Sequence, residues 1–174
     1  MRAYELLNET RDRMFQYIKS VLPKWPDYVL RDWIYNLARG THQAGPGQDP
    51  ADPTWKFNKE TILKMIAREG MNPDTQWKLV PNFEFKMETL HPDTQRRIRE
   101  RDGGRVNPYQ VPNDAARHAT QAQLAQKEGG VRKEPVIGKM TPQGFELIEG
   151  WHRTIQHFDR YPDGYRGPAW VAGK

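Results

Sequence analysis

Apolar positions in the first 21 residues recur at helical intervals. Leu7, Met14, Ile18 and Val21 are seven, four and three apart, which predicts an amphipathic helix from Ala3 to Val21, closed by Pro23. Val29, Trp33, Ile34 and Leu37 give a second helix a buried face. It should start near Pro26, with Asp27 at its positive end, and stop at Gly40. Residues 41–53 are rich in Gly, Pro, Gln and Asp, carry no hydrophobic period and read as a loop. Asn58 then caps a third helix, with Ile62, Leu63 and Ile66 inward and Gly70 ending it.

The period changes to two after Asn82. Phe83, Phe85 and Met87 alternate with Glu84, Lys86 and Glu88, which predicts a half-buried strand from Asn82 to Thr89. A short basic helix follows over 93–101, then a loop around Gly103-Gly104 and Asn107-Pro108. Asn113 opens the most helical stretch, which runs to about Lys127 and is stopped by Gly129-Gly130. The apolar runs at 134–139 and 145–149, separated by a turn at 141–144, predict a hairpin. A helix from Gly150 to Phe158, a turn at 161–164 and a returning edge strand at 168–171 complete the chain. The expected class is α+β, with a helical extension over 1–76 and a small mixed-sheet domain over 77–174.

Composition narrows the chemistry. The 174 residues contain no Cys, which excludes disulfides, thiolate zinc sites and cysteine nucleophiles, and the histidines show no metal-ligand spacing, so no metal site is expected. A net charge of +5 favours polyanionic partners. No run approaches the ~20 apolar residues of a membrane span, and the amino terminus lacks a signal-peptide core, so a cytoplasmic protein without a membrane partner is expected.

The segment with most chemical content is Gly150-Trp151-His152-Arg153. A strand running directly into a helix at a glycine presents backbone N–H groups and the positive helix end to an anion. Arg153 would grip two phosphate oxygens with its planar fork, His152 would donate a hydrogen bond or relay a proton, and Thr154 would add a hydroxyl. Glu149, beside the turn, is the better-placed carboxylate for acid or base work, because strand alternation puts it and Leu147 opposite Glu146 and Ile148. A carboxylate next to a bound triphosphate favours a bridging magnesium ion. Trp151, at the mouth of the turn, is the Trp to consider for base stacking. The alternative is a tight turn followed by solvated residues on a first helical turn.

Ala115 to Gly130, Pro135-Val136-Ile137, Phe145-Glu146-Leu147-Ile148 and Gly150-Trp151-His152-Arg153 together resemble the core of the ParB/sulfiredoxin superfamily, over roughly the last 90 residues. That resemblance implies a nucleotide- or nucleic-acid-phosphate-binding protein, with ATP or CTP and Mg2+ as the expected ligands and NTP hydrolysis, phosphoryl transfer or nuclease activity as the family's chemistries. It also implies a second pocket wall from Arg117, His118 and Gln121, extended by Arg132 and Lys133; an exposed polar helix face is the alternative. Sulfiredoxins carry Cys where Trp151 stands, which argues against sulfinate reduction. ParB proteins carry Gly-Glu-Arg-Arg, for which Trp151 and His152 replace the Glu and the first Arg, and the chain ends too soon after the core for their helix-turn-helix. The amino-terminal stretch and the Trp-His-Arg-Thr-Ile-Gln run are also similar to proteins of tailed bacteriophages, which implies host cytoplasm or a virion as the location.

Two further readings stay open. Arg96, Arg97, Arg99, Arg101 and Arg105 form the densest positive run and would track a nucleic-acid backbone, as expected of a nuclease or DNA-binding accessory protein, unless Glu100 and Asp102 pair with them. In the other, the phosphate site is inert and the Trp-rich helical half docks on a protein partner or a second copy, as in a structural protein of a phage particle.

Overall fold

The computed structural model describes residues 3–41, 50, 55, 57–101, 114–130 and 132–173, and the side chains of 12–38, 50, 55, 57–101, 119–130 and 132–173. The protein is α+β and divides into two compact units, residues 1–76 and Trp77–Gly173.

In the first unit, α1 (Ala3–Val21) buries Met14, Phe15, Ile18 and, just past its end, Leu22; Val21, expected inward, is only half-buried. The second predicted helix forms, but not as a uniform α-helix. Pro26 is its N-cap, α2 (Asp27–Val29) passes into a π-helical segment (Leu30–Tyr35), and α3 (Asn36–Thr41) follows. The wider π turn carries the buried face through Leu30, Trp33 and Ile34 to Ala38, leaving Leu37 half-buried. Trp25 stacks on Trp33 at 5.8 Å. In α4 (Lys59–Arg68), Asn58 Oδ1 accepts the Thr61 N–H at 3.0 Å, the expected cap; Ile62 and Ile66 are buried and Leu63 half-buried. Most of the expected 41–53 loop lies outside the described residues.

The second unit is a four-stranded mixed sheet in the order β1-β4-β2-β3, formed by β1 (Gln76–Phe85), β2 (Val136–Thr141), β3 (Gly144–Glu149) and β4 (Tyr165–Gly173). The first strand starts six residues earlier than its alternation suggested and ends at Phe85. Pro81, which breaks the alternation, is tolerated because β1 is an edge strand. The chain then turns at Met87–Thr89, where the Lys86 N–H donates to Thr89 Oγ1 at 3.0 Å. The last strand also departs from expectation: it is longer than 168–171 and lies inside the sheet, parallel to β2. Its pairing with β2 begins at Ala169, so the missing N–H of Pro168 does not interrupt that ladder.

The β2–β3 hairpin forms as expected, with a shift of register between Ile137 and Gly138. Gly138 lies under the ring of Phe145: a Cβ there would come within 2.3 Å of the ring and 2.6 Å of the Glu146 carbonyl oxygen. The outer side of β3 is covered by the segment leading into α5 (Pro92–Arg99). The His91 N–H donates to the Phe145 carbonyl at 2.9 Å, and the Leu147 N–H donates to the buried Thr94 hydroxyl at 3.2 Å. These bonds satisfy backbone groups that an edge strand would otherwise expose. The remaining helices are α6 (Asp114–Lys127) and α7 (Trp151–Arg160), which packs on α6, β2 and β4. The core joins Phe85, Leu90, Ile98, Val136, Phe145, Leu147, Trp151, Ile155, Phe158, Tyr165 and Ala169, with Phe85 stacked on Tyr165 at 4.6 Å.

Candidate functional site

The start of α7 is built around Gly150, its N-cap, which has φ +96°. L-residues disfavour this conformation, and a Cβ would also approach Val136 Cγ1 to 2.9 Å and Arg153 Nη2 to 3.1 Å. Helical side chains lean toward the amino end of their helix. The Arg153 guanidinium therefore folds back beside Gly150, where the positive end of α7 also lies.

Arg153 is buried and reaches internal acceptors. Its Nη1 donates to Glu134 Oε2 at 3.0 Å and its Nη2 to the Pro135 carbonyl at 3.1 Å. Arg132 converges on the same oxygen: its Nη2 donates to Glu134 Oε2 at 2.5 Å, its Nε to Glu128 Oε2 at 3.2 Å, and its Nη1 to Gln121 Oε1. The arginine side chains are 6% and 9% exposed, whereas that of Glu134 is 52% exposed. Two embedded cations thus share one half-exposed carboxylate. Glu128 is held below the usual carboxylate range, first by the Lys133 N–H that donates to it at 2.6 Å and then by Arg132.

The other expected site residues divide clearly. Gln121 meets Arg132, as a shared pocket wall would require. The side chains of Arg117 and His118, on α6, lie outside the described residues, as does Arg105. Thr154 is fully buried and its hydroxyl has no hydrogen-bond partner among the described residues. His152 is half-buried, and because an α-helix turns about 100° per residue it leaves α7 in a different direction from Arg153.

Trp151 is not placed to stack on a base. It is 4% exposed, its Nε1 donates to the Ile148 carbonyl at 3.0 Å, and the Arg97 guanidinium lies 3.6 Å from the ring centroid. The alternation that assigned Glu149 its face does not hold to the strand end, because Ile137 pairs with Glu149 but Gly138 pairs with Leu147, leaving Ile148 as an extra residue. The Glu149 carboxylate turns back to accept the Gly150 N–H at 3.0 Å.

Three of the described arginines of α5 and its end meet side-chain acceptors. Arg96 joins Asp93 and Glu100 at 2.8 and 2.6 Å, Arg99 donates to Gln95, and Arg101 makes two bonds to Asp159 at 2.6 and 2.8 Å. Arg96, Arg99 and Arg101 are thus engaged by neighbouring side chains and Arg97 by the Trp151 ring.

Glu134 is the site residue that the motif reading passed over. Its signal in the sequence is proximity alone: Glu134 lies two residues from Arg132 and directly before Pro135-Val136-Ile137.

Behind α7, His157 Nε2 lies 3.0 Å from the Gly164 carbonyl, and burial holds this imidazole below its ordinary pKa against that bond. Burial pushes the Tyr165 hydroxyl up to about 12, opposed by the nearby positive charge of Arg153. Among the described residues, no group of three His, Asp or Glu side chains is arranged to hold a metal ion, and no helix is long and apolar enough to cross a membrane. No protein-family model, curated protein or solved structure matches this chain.

Proposed function

We propose that the unit Trp77–Gly173 binds a phosphate group of a nucleotide or nucleic acid at the amino end of α7, as expected of a ParB/sulfiredoxin-type domain. The observation that carries this reading is the convergence of Arg132 and Arg153 on one carboxylate oxygen, with the Arg153 head beside Gly150. A carboxylate and a phosphate oxygen present the same acceptor to a planar guanidinium, so the geometry that holds Glu134 suits a phosphate. ATP or CTP would bring its own magnesium ion through its phosphates, with Glu149 the nearest carboxylate along the chain. No bond-breaking step is assigned.

A second reading has its own support. Trp151, Arg153 and Thr154 are all buried, and each nitrogen of the Arg132 guanidinium already meets a protein acceptor, as in an inert scaffold that serves a protein partner. Calorimetric titration of ATP, CTP and a short DNA duplex, with magnesium, separates the two. Phosphate binding predicts saturable binding by the wild type that weakens at least about tenfold in Arg153→Lys, which keeps the charge but loses the fork. No binding by a folded wild type would leave the scaffold reading.

A further inference from the structure

We propose that Glu134 is a built-in competitor for the anion site, a carboxylate latch that a phosphate group must displace. This rests on the phosphate-binding reading and adds its regulation.

If the carboxylate left, both arginines would remain where they are. Arg132 would stay in place, because its Nε and Nη1 are held by Glu128 and Gln121. Arg153 would stay as well, because its Nη2 is held by the Pro135 carbonyl and its head packs beside Gly150. Each guanidinium thus has an anchor other than Glu134. Glu134 is the member most accessible to water, and it sits at a bend between exposed Lys133 and the start of β2. Its departure leaves two anchored donors, one from each arginine, aimed at a common point.

Charge makes the exchange selective. Within the ion-pair cluster itself, Arg132 and Arg153 are balanced by Glu128 and Glu134, and withdrawal of Glu134 leaves that cluster with one positive charge. A phosphate monoester replaces the single carboxylate oxygen with three acceptor oxygens and up to two charges, which favours it over chloride or a carboxylate. Binding should accordingly be weaker than two buried arginines and a helix terminus would otherwise give, because every ligand first breaks two ion pairs.

The test is titration of ATP and of inorganic phosphate into the wild type, Glu134→Gln, Glu134→Asp and Glu84→Gln, with circular dichroism confirming the fold of each. Glu84 pairs with Arg166 on the surface, so its variant controls for net charge alone. The latch predicts affinity raised about tenfold in Glu134→Gln, raised less in Glu134→Asp, whose shorter arm reaches less far, and unchanged in Glu84→Gln. Glu134→Asp keeps the charge and supports or sinks the proposal even if Glu134→Gln does not fold. Wild-type binding with no tightening in either Glu134 variant would overturn the latch and leave the phosphate site standing. No binding by the wild type or by any folded Glu134 variant would overturn both.

Discussion

Removing the shared carboxylate should destabilise the protein more than removing one of the arginines it serves. Glu134→Gln keeps the size of the side chain but withdraws the charge from Arg132 and Arg153, whose side chains are 6% and 9% exposed. Taking one partner from a fully buried pair costs about 3–5 kcal/mol, and half-exposure of Glu134 lowers this to about 2 kcal/mol. Arg153→Met leaves Glu134 with Arg132 and water, and its cost comes chiefly from the Pro135 carbonyl that loses a donor, about 1 kcal/mol. In that background Glu134→Gln strands one guanidinium instead of two, and that one keeps Gln121 and Glu128. The cycle should therefore close with a coupling of about 1 kcal/mol. Urea denaturation reads it: with an m-value near 2 kcal/mol/M, Glu134→Gln lowers the midpoint by about 1 M at unchanged m. Additivity of the two changes within about 0.5 kcal/mol, or a larger cost for Arg153→Met than for Glu134→Gln, would refute the shared-carboxylate account.

Gly150→Ala should cost about 2–4 kcal/mol, from the left-handed backbone together with the contact on Val136, and Val136→Ala should recover only the contact part; a cost under about 1 kcal/mol in urea melts would contradict this. Thr94→Val leaves the Leu147 N–H without its acceptor and should cost about 1–3 kcal/mol, with faster hydrogen exchange at Leu147 as the local signature. The Tyr165 hydroxyl, near 10 when unfolded and about 12 when folded, holds its proton more tightly in the folded state. Its contribution is fully present below pH 10 and is lost as pH rises toward 12, by about 2–3 kcal/mol, so wild-type stability should fall across that window and Tyr165→Phe should flatten the profile.

The local elements were largely legible because local rules set them. The α1 stripe, the Asn58 cap, the 141–144 turn and the glycine before α7 all depend on neighbours within about four residues. Expectations failed where tertiary context decided. The strand expected at an edge over 168–171 lies inside the sheet, and the proline that opens that range is tolerated because pairing with β2 starts one residue later. Pro81 hid six residues of β1 because an edge strand tolerates what a central strand does not. The register shift at Ile137/Gly138 turned Glu149 back onto the Gly150 N–H, and no alternation rule anticipates a bulge.

The site shows the same division in its chemistry. Gly150 and Arg153 specify the receiving half of an anion site: a left-handed N-cap, a positive helix end and a planar donor folded back beside it. They do not specify the anion, because a guanidinium accepts a carboxylate and a phosphate with the same geometry. Glu134 lies 19 residues before Arg153 and reaches it only once β2 has paired with β3 and α7 has packed on β2. A motif read along the chain therefore finds the donors and misses the partner that already holds them. The decisive property of this site is whether an external phosphate outcompetes Glu134, and that depends on the differing anchorage of the two sides: arginines fixed by Gln121, Glu128 and Pro135, facing a carboxylate half in water.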